Sequence, residues 1–460
     1  MSASTTRYLA DFVLPCDAAG TVIRGGAVDV DGDGRISWVG PAATAPDLTA
    51  ALTSAPDLTA VDAAGAGAAV TTRRLTGLLM PGLVNVHCHS PMTVLRGQGE
   101  GLPLLRWLQE VIWPREGRIT EDDVFWGMTL ASAEMLRFGV TTSCEMYFRN
   151  DAVVAAVEAS GARCLLTPAI VTAPWPWLGT LDEQLAQVVE FRDANHQPDG
   201  RIRVGMAAHA AYTVPEGHLQ QLAAAAKERD ALLHIHVAET EHEGDEVSAR
   251  HGGASVPRIL ADLGVLDARV LAAHSVWLSD DDIAIFKAFG VAVAHCPGSN
   301  AKLASGIARL ADLMAAGVAV GLGTDGPASN NDLDLWEEAR LAALLARLRT
   351  HDPTAVTAGQ ALALATRGGA DALGLADIGV LAPGRSADLV HLSLDDPGFV
   401  PLLEDADLLA HLVFAAPREC VRDVWVAGQQ VVADGRCTTV DLAETRARVQ
   451  RAAARIATES

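Results

Sequence analysis

Two histidines one residue apart, His87 and His89, close the apolar run LLMPGLVNVHCH. Side chains alternate along an extended strand, so this spacing puts both imidazoles on one side and turns Cys88 to the other. Further apolar runs end in groups of the same kind: His209 in RVGMAAHA, His236 and Glu239 in LLHIHVAE, His274 in VLAAHS and Asp325 in VAVGLGTD. Neutral imidazole and carboxylate together suit Zn2+, Fe2+ or Mn2+. A divalent ion lowers the pKa of the water it binds from about 15.7 towards about 7, so the chemistry indicated is hydrolysis assisted by one metal. An isolated H-x-H reads as a pair of hydrogen-bonded core histidines, and the other polar strand ends turn the reading to metal binding. His234 makes a second H-x-H with His236, of which only one need be a ligand. His196, His218, His242, His251, His351, His391 and His411 are expected in loops or on the surface.

The elements that must carry these groups are eight short apolar runs separated by segments of helical period. Besides those above they are TTSCEMY, CLLTPAIV and VAVAHCP. Strands alternating with helices give a parallel sheet, and eight such units over about 300 residues fit a (β/α)8 TIM barrel, whose active sites lie at the carboxyl ends of the strands. The barrel is expected over 78–378. Strand-and-turn texture before it (1–77) and after it (379–437) is expected to form one small composite β-sandwich, followed by a terminal helix over 438–460. A hexapeptide, APDLTA, occurs at 45–50 and 55–60 and reads as part of a surface insertion.

The chain has 460 residues with 35 Lys+Arg against 57 Asp+Glu, a net charge of −22. That excess disfavours nucleic acid and anionic membrane as partners. No secretory leader or membrane-spanning run is evident, and seven cysteines read as reduced core residues, so a cytoplasmic location is expected. DVDGDG imitates a calcium loop but has Gly40 where the twelfth position needs Glu, and is expected to be a hairpin turn. Gly321–Gly326 imitates a dinucleotide-binding motif, but Asp325 inside it would repel a pyrophosphate.

The segments LMPGLVNVHCHSPMTVLRG, HIHVAET, AAHSVWLS, HCPGSNAKLASGIA and GLGTDGPASNNDLDLWEEARLAALL, with APGRSADLV near the end, resemble the amidohydrolase superfamily. Within it they are similar to the branch of 5′-methylthioadenosine and S-adenosylhomocysteine deaminases. The resemblance implies that His87, His89, His236 and Asp325 hold one metal, most commonly Zn2+, and that Glu239 protonates the ring nitrogen. It implies that His274 and Asp325 orient and deprotonate the attacking water, and that Trp107, Glu116 and His209 contact a nucleoside. Ser329 stands at the same mouth. A small-molecule substrate and a possible homo-oligomer follow from the same likeness.

One departure bears on the substrate. S-adenosylhomocysteine deaminases resembling this chain carry arginines on and after the third strand, where this sequence has Thr167, Pro168 and then TAPWPWLGT. Trp175 and Trp177 suit an uncharged 5′ group, with Arg115, Arg149 and Arg163 as the cations that could compensate. Competing readings are hydrolysis of another N-heterocycle, such as a guanine-type, aminodeoxyfutalosine or triazine substrate, and a non-enzymatic binding protein on the same barrel.

Overall fold

The computed structural model describes residues 4–48, 70–416 and 418–458. Four strands come first: β1 (Thr5–Val13), β2 (Ile23–Val30), β3 (Ile36–Pro41) and β4 (Val70–Pro81). The DGDG segment makes a hairpin turn, in which Asp31 Oδ1 accepts from the backbone N–H groups of Asp33 and Arg35 between antiparallel strands. β4 runs on past the boundary expected at 77, because residues 78–81 still pair with residues 389–392 of the small sheet. Of the expected insertion, a helical turn at Ala42–Thr44 is seen, and residues 49–69, with the second hexapeptide, lie outside the described residues.

The barrel follows as β5 (Leu83–Cys88), β6 (Val140–Tyr147), β7 (Arg163–Ile170), β8 (Ile202–Val204), β9 (Met206–Ala210), β10 (Leu232–Val237), β11 (Arg269–His274), β12 (Ala292–His295) and β13 (Val320–Leu322). They pair in parallel and in chain order. β8 and β9 share one barrel position, broken at Gly205, where a Cβ would come within 2.6 Å of the Leu232 carbonyl oxygen. The eight positions correspond to the eight apolar runs. Most of these strands are buried on both faces, by helices outside and side chains inside, and so read as continuous apolar runs rather than alternating ones.

Closure joins the last strand to the first. The Asn85 amide donates to Thr324 Oγ1 at 2.8 Å and accepts from the Thr324 N–H at 3.1 Å, and the Asp325 N–H donates to the His87 carbonyl at 3.0 Å. Gly323 makes this approach possible, since a Cβ there would sit 2.9 Å from that of His87.

After the barrel, β14 (Leu389–Leu392), β15 (Val421–Val426), β16 (Gln429–Ala433) and β17 (Arg436–Cys437) join the N-terminal strands in one mixed sheet, ordered β17-β16-β15-β14-β4-β1-β2-β3. The rings of Tyr8 on β1 and Trp425 on β15 are 5.0 Å apart. Their strands are three spacings apart, about 14 Å in a flat sheet, so the sheet folds over its own core as a sandwich does. His391, expected on the surface, is buried in β14, with Nδ1 2.7 Å from Asp423 and Nε2 2.9 Å from the Thr76 carbonyl; its strand pairs on both sides. The terminal helix, Leu442–Thr458, is tied to the barrel through Arg118, which donates to the Ile456 carbonyl at 2.9 Å. Among the described residues no helix is long and apolar enough to cross a membrane.

A buried ion pair couples the two units. Arg163, at the start of β7, meets Asp388 through Nε at 2.8 Å and Nη2 at 3.0 Å, and Asp388 also accepts from the Ala427 N–H at 2.7 Å. Removing one partner leaves an uncompensated charge in the interior. Asp388→Ala is therefore expected to lower stability by about 3–5 kcal/mol in chemical denaturation while leaving metal content unchanged, since the pair lies at the strand starts, away from the polar mouth.

Candidate active site

Each expected ligand reaches the barrel mouth from a different strand end, apart from the β5 pair. One donor atom from each of His87, His89, His236 and Asp325 falls in a group spanning no more than 4.8 Å. Asp325 Oδ1 lies 3.2 Å from Nε2 of both His87 and His89, and His236 Nε2 lies 3.3 Å from His89 Nε2. The chain leaves the strands in the left-handed region at Ala238, His274, Ser275 and Asp325, with φ between 51° and 67°. Such strain in non-glycine residues persists only where surrounding structure enforces it, and here it turns successive side chains towards the mouth.

The second ring nitrogen sets what each imidazole offers. Nδ1 of His89 is 2.6 Å from the Met146 carbonyl, and Nδ1 of His236 is 2.7 Å from that of His209. A carbonyl oxygen only accepts, so each Nδ1 carries the hydrogen and each Nε2 is left to face the centre. His87 Nε2 is buried without a hydrogen-bond partner, and burial pushes this imidazole down to about 4, so it is uncharged at neutral pH. Lone pairs and a carboxylate oxygen converging in a buried space repel one another unless a cation lies among them. The donor set thus fits a divalent ion of the zinc type. A proton is the alternative occupant. Burial opposes the charge of His89, but Asp325 and the Met146 carbonyl outweigh it and raise His89 to about 9.

Asp325 divides its oxygens. Oδ2 accepts from the hydroxyls of Ser299 and Ser329, each at 2.6 Å, leaving Oδ1 for the centre. Burial disfavours its charge, yet His87 and His89 outweigh this and hold the carboxyl well below the usual range. Ser329 lines the cleft as expected, with its hydroxyl directed at Asp325.

Glu239, just beyond β10, is buried, and desolvation first, then the charge of Asp325, push it up to about 8. It therefore keeps its proton at neutral pH. His274, ending β11, has Nδ1 2.9 Å from Asn300 Oδ1 and Nε2 3.7 Å from Glu239. Above this cluster a cleft encloses about 680 Å³, including its part open to solvent. Trp107, Glu116 and His209 line it, with Leu108, Ile112 and Trp175 among its apolar walls. Glu116 accepts from the Tyr147 hydroxyl at 3.1 Å, and burial raises it to about 7. His209 Nδ1 is 2.9 Å from Thr213 Oγ1, and burial pushes its imidazole down to about 3.

Other expected residues sit elsewhere. His234 lies behind His87, outside the cleft. Trp177 stacks on the far side of Trp175, with ring centroids 5.2 Å apart. Arg115 donates to the Val111 carbonyl, Arg149 lies over the Trp177 ring, and Arg163 is held by Asp388. None of the three lines the cleft, nor does any other described Arg or Lys. Tyr147, Ser299 and Asn300 received no role from the sequence. Their signal was the one used for the other groups, a polar residue at or just after the end of an apolar run.

Three imidazoles and one carboxylate at the carboxyl mouth of a (β/α)8 barrel, with an acid beside them, define the class of metal-dependent barrel hydrolases. The amidohydrolase family profile matches residues 78–431, and the chain belongs to that family. The 5-methylthioadenosine/S-adenosylhomocysteine deaminase of Pelotomaculum thermopropionicum is 44% identical over 382 residues, 83% of this chain and 87% of its own. The 5′-deoxyadenosine deaminase of Methanothermobacter thermautotrophicus is 41% identical over 368 residues, 79% of this chain and 84% of its own. Among solved structures, an adenosine deaminase from Xanthomonas campestris with bound zinc is 37% identical, with a TM-score of 0.89 over 99% of both chains.

The hydroxyl of Ser299 is a charge-assisted donor to Asp325, a kind of bond whose net value is about 1.5–3 kcal/mol. Ser299→Ala is expected to weaken the binding of a divalent ion about tenfold or more, read by competition with a chelator.

Proposed function

We propose that the chain is a metal-dependent deaminase of adenosine-type nucleosides, converting them with water to the inosine analogue and ammonia. The observation that carries this reading is the position of Glu239: a buried carboxyl beside the four-ligand group, facing the cleft and 3.7 Å from His274 Nε2. The relatives that act on adenosine-type nucleosides, and the zinc in the Xanthomonas campestris structure, support both the substrate class and zinc as the ion.

His87, His89, His236 and Asp325 would hold the ion, which supplies the Lewis acidity that makes water nucleophilic at neutral pH. Glu239 donates its proton to N1 of the adenine, which makes C6 the electrophilic atom. His274, with its Nδ1–H held by Asn300, offers Nε2 to the attacking water, and Asp325 Oδ1 accepts a proton from it. That proton then passes to the leaving amine as the C6–N bond breaks, and the remaining hydroxyl proton returns to Glu239 as the C6 carbonyl forms. Trp107 and His209 bound the space for the base and sugar, and Glu116 accepts from ribose hydroxyls.

The cleft walls bear on the 5′ substituent. With no described Arg or Lys among the lining residues, and with Glu116, Glu239 and Asp325 there, a homocysteine carboxylate meets no guanidinium or ammonium group among the described residues. An unpaired buried carboxylate costs several kcal/mol, more than the added methylenes return at about 0.8 kcal/mol each. We therefore assign 5′-methylthioadenosine, adenosine or 5′-deoxyadenosine as substrates in preference to S-adenosylhomocysteine.

His87→Ala and His236→Ala are expected to lose metal and turnover together, as measured by elemental analysis and ammonia release. Glu239→Gln should keep its metal and lose most of kcat, since it removes a proton donor and no ligand; loss of metal there would make Glu239 a ligand instead. In substrate competition, methylthioadenosine should show a higher kcat/KM than S-adenosylhomocysteine. The reverse order would require a cation to reach the cleft, and Arg149→Ala would then abolish the preference if that side chain supplies it.

A further inference from the structure

His89 and His236 each anchor Nδ1 directly on a backbone carbonyl, whereas His87 does not. Its Nδ1 lies 2.9 Å from Nε2 of His234, whose own Nδ1 lies 3.1 Å from Thr167 Oγ1, and the Thr167 hydroxyl donates to the Glu145 carbonyl at 2.7 Å. His87, His234 and Thr167 are all fully buried, so no bulk water can satisfy these atoms instead.

The chain of contacts can run in one direction only. The carbonyl of Glu145 accepts, so the single hydroxyl hydrogen of Thr167 is committed to it. Thr167 Oγ1 then has only lone pairs to offer, so at 3.1 Å His234 Nδ1 carries the hydrogen, and Cys144 Sγ, a weaker partner, stands farther off at 3.7 Å. A neutral imidazole with Nδ1 protonated has a bare Nε2, which accepts from His87 Nδ1–H. His87 is left with its Nε2 lone pair facing the centre, as a metal ligand requires.

We propose that Thr167 and His234 are positioning residues that fix the ligating tautomer of His87 by relaying the direction of a backbone carbonyl through two side chains. The proposal rests on the reading of His87 as a ligand. It also gives a role to the threonine on the third strand, where the sequence showed only a missing arginine. Without the Thr167 hydroxyl the Cys144 thiol, 3.7 Å from His234 Nδ1, is left facing that nitrogen and can donate its hydrogen to it. That ring can then place its hydrogen on Nε2, where it confronts His87 Nδ1 and drives the His87 hydrogen onto Nε2, blocking the lone pair.

The test compares Thr167→Val, which keeps the shape and removes the hydroxyl, with Thr167→Ser, which keeps the hydroxyl and removes a methyl. Zinc affinity of each purified chain is measured by chelator competition. Loss of an outer partner to a metal-ligating histidine costs on the order of 10- to 100-fold in affinity, and that loss is expected for Thr167→Val, with Thr167→Ser close to the parent. His234→Phe should weaken zinc at least as much as Thr167→Val. In the metal-free chain, nitrogen-15 NMR of the imidazoles should show His87 with hydrogen on Nδ1 in the parent and shifted towards Nε2 in Thr167→Val. Unchanged zinc affinity in Thr167→Val, equal weakening in Thr167→Ser, or an unmoved His87 tautomer would each overturn the relay. His87→Ala, run alongside, separates the two readings: if it loses zinc while Thr167→Val does not, the ligand assignment stands and only the relay fails. If His87→Ala binds zinc like the parent, the ligand assignment itself fails, whatever the tautomer measurement shows.

Discussion

The hydrogen bond from the Asp325 N–H to the His87 carbonyl joins two residues far apart in the chain, and the candidate site depends on it. It is the last contact of barrel closure, made at the level where the strands end. It sets the Asp325 carboxylate beside the two β5 imidazoles, at 3.2 Å from each. Two small-residue requirements follow, at Gly323 for the approach of the strands and at Gly326, whose Cβ would come 3.3 Å from that of His89. The glycines that imitate a dinucleotide-binding motif thus serve close packing against the first strand.

Closure alone would bring together groups that repel. The structure manages this by giving the groups that face the centre partners on their outer side. Carbonyls of Met146 and His209 hold two imidazoles, two serine hydroxyls hold one oxygen of Asp325, and Asn300 holds His274. The carboxylate of Glu145, fully buried on β6, accepts from the Ser90 N–H at 2.9 Å and from Cys88 Sγ at 2.8 Å, which ties the turn after His89 to the strand that supplies the Met146 carbonyl. In a space with little water these outer contacts determine which lone pairs point inward. The same burial pushes the Glu239 carboxyl up while the neighbouring imidazoles hold that of Asp325 down, so environment sets the two carboxyl groups apart.

Strand count, barrel class and the convergence of His87, His89, His236, Glu239, His274 and Asp325 were legible because they rest on local rules. A buried parallel strand is a short apolar run, and its carboxyl end faces the mouth. Less legible were contacts made across the barrel. Trp175 and Trp177 are two residues apart in one loop, yet one lines the cleft and the other stacks behind it. His391 looked like a surface residue because its neighbours in sequence do not show that β4 and β15 cover it from both sides.

The sequence by itself determined the periodicity of the strands, the order in which they enter the barrel and the residue types available at their ends, since each follows from backbone geometry within a few residues. Only the tertiary structure decided which of those residues face the same point, which ring nitrogen of each histidine is free, and that no described Arg or Lys lines the cleft. Those properties depend on distances between atoms dozens to hundreds of residues apart in the chain. His234 shows the division plainly. Its spacing from His236 announced a side chain facing the barrel interior, but whether it binds, shields or orients was fixed by Thr167 and His87, on strands that precede it.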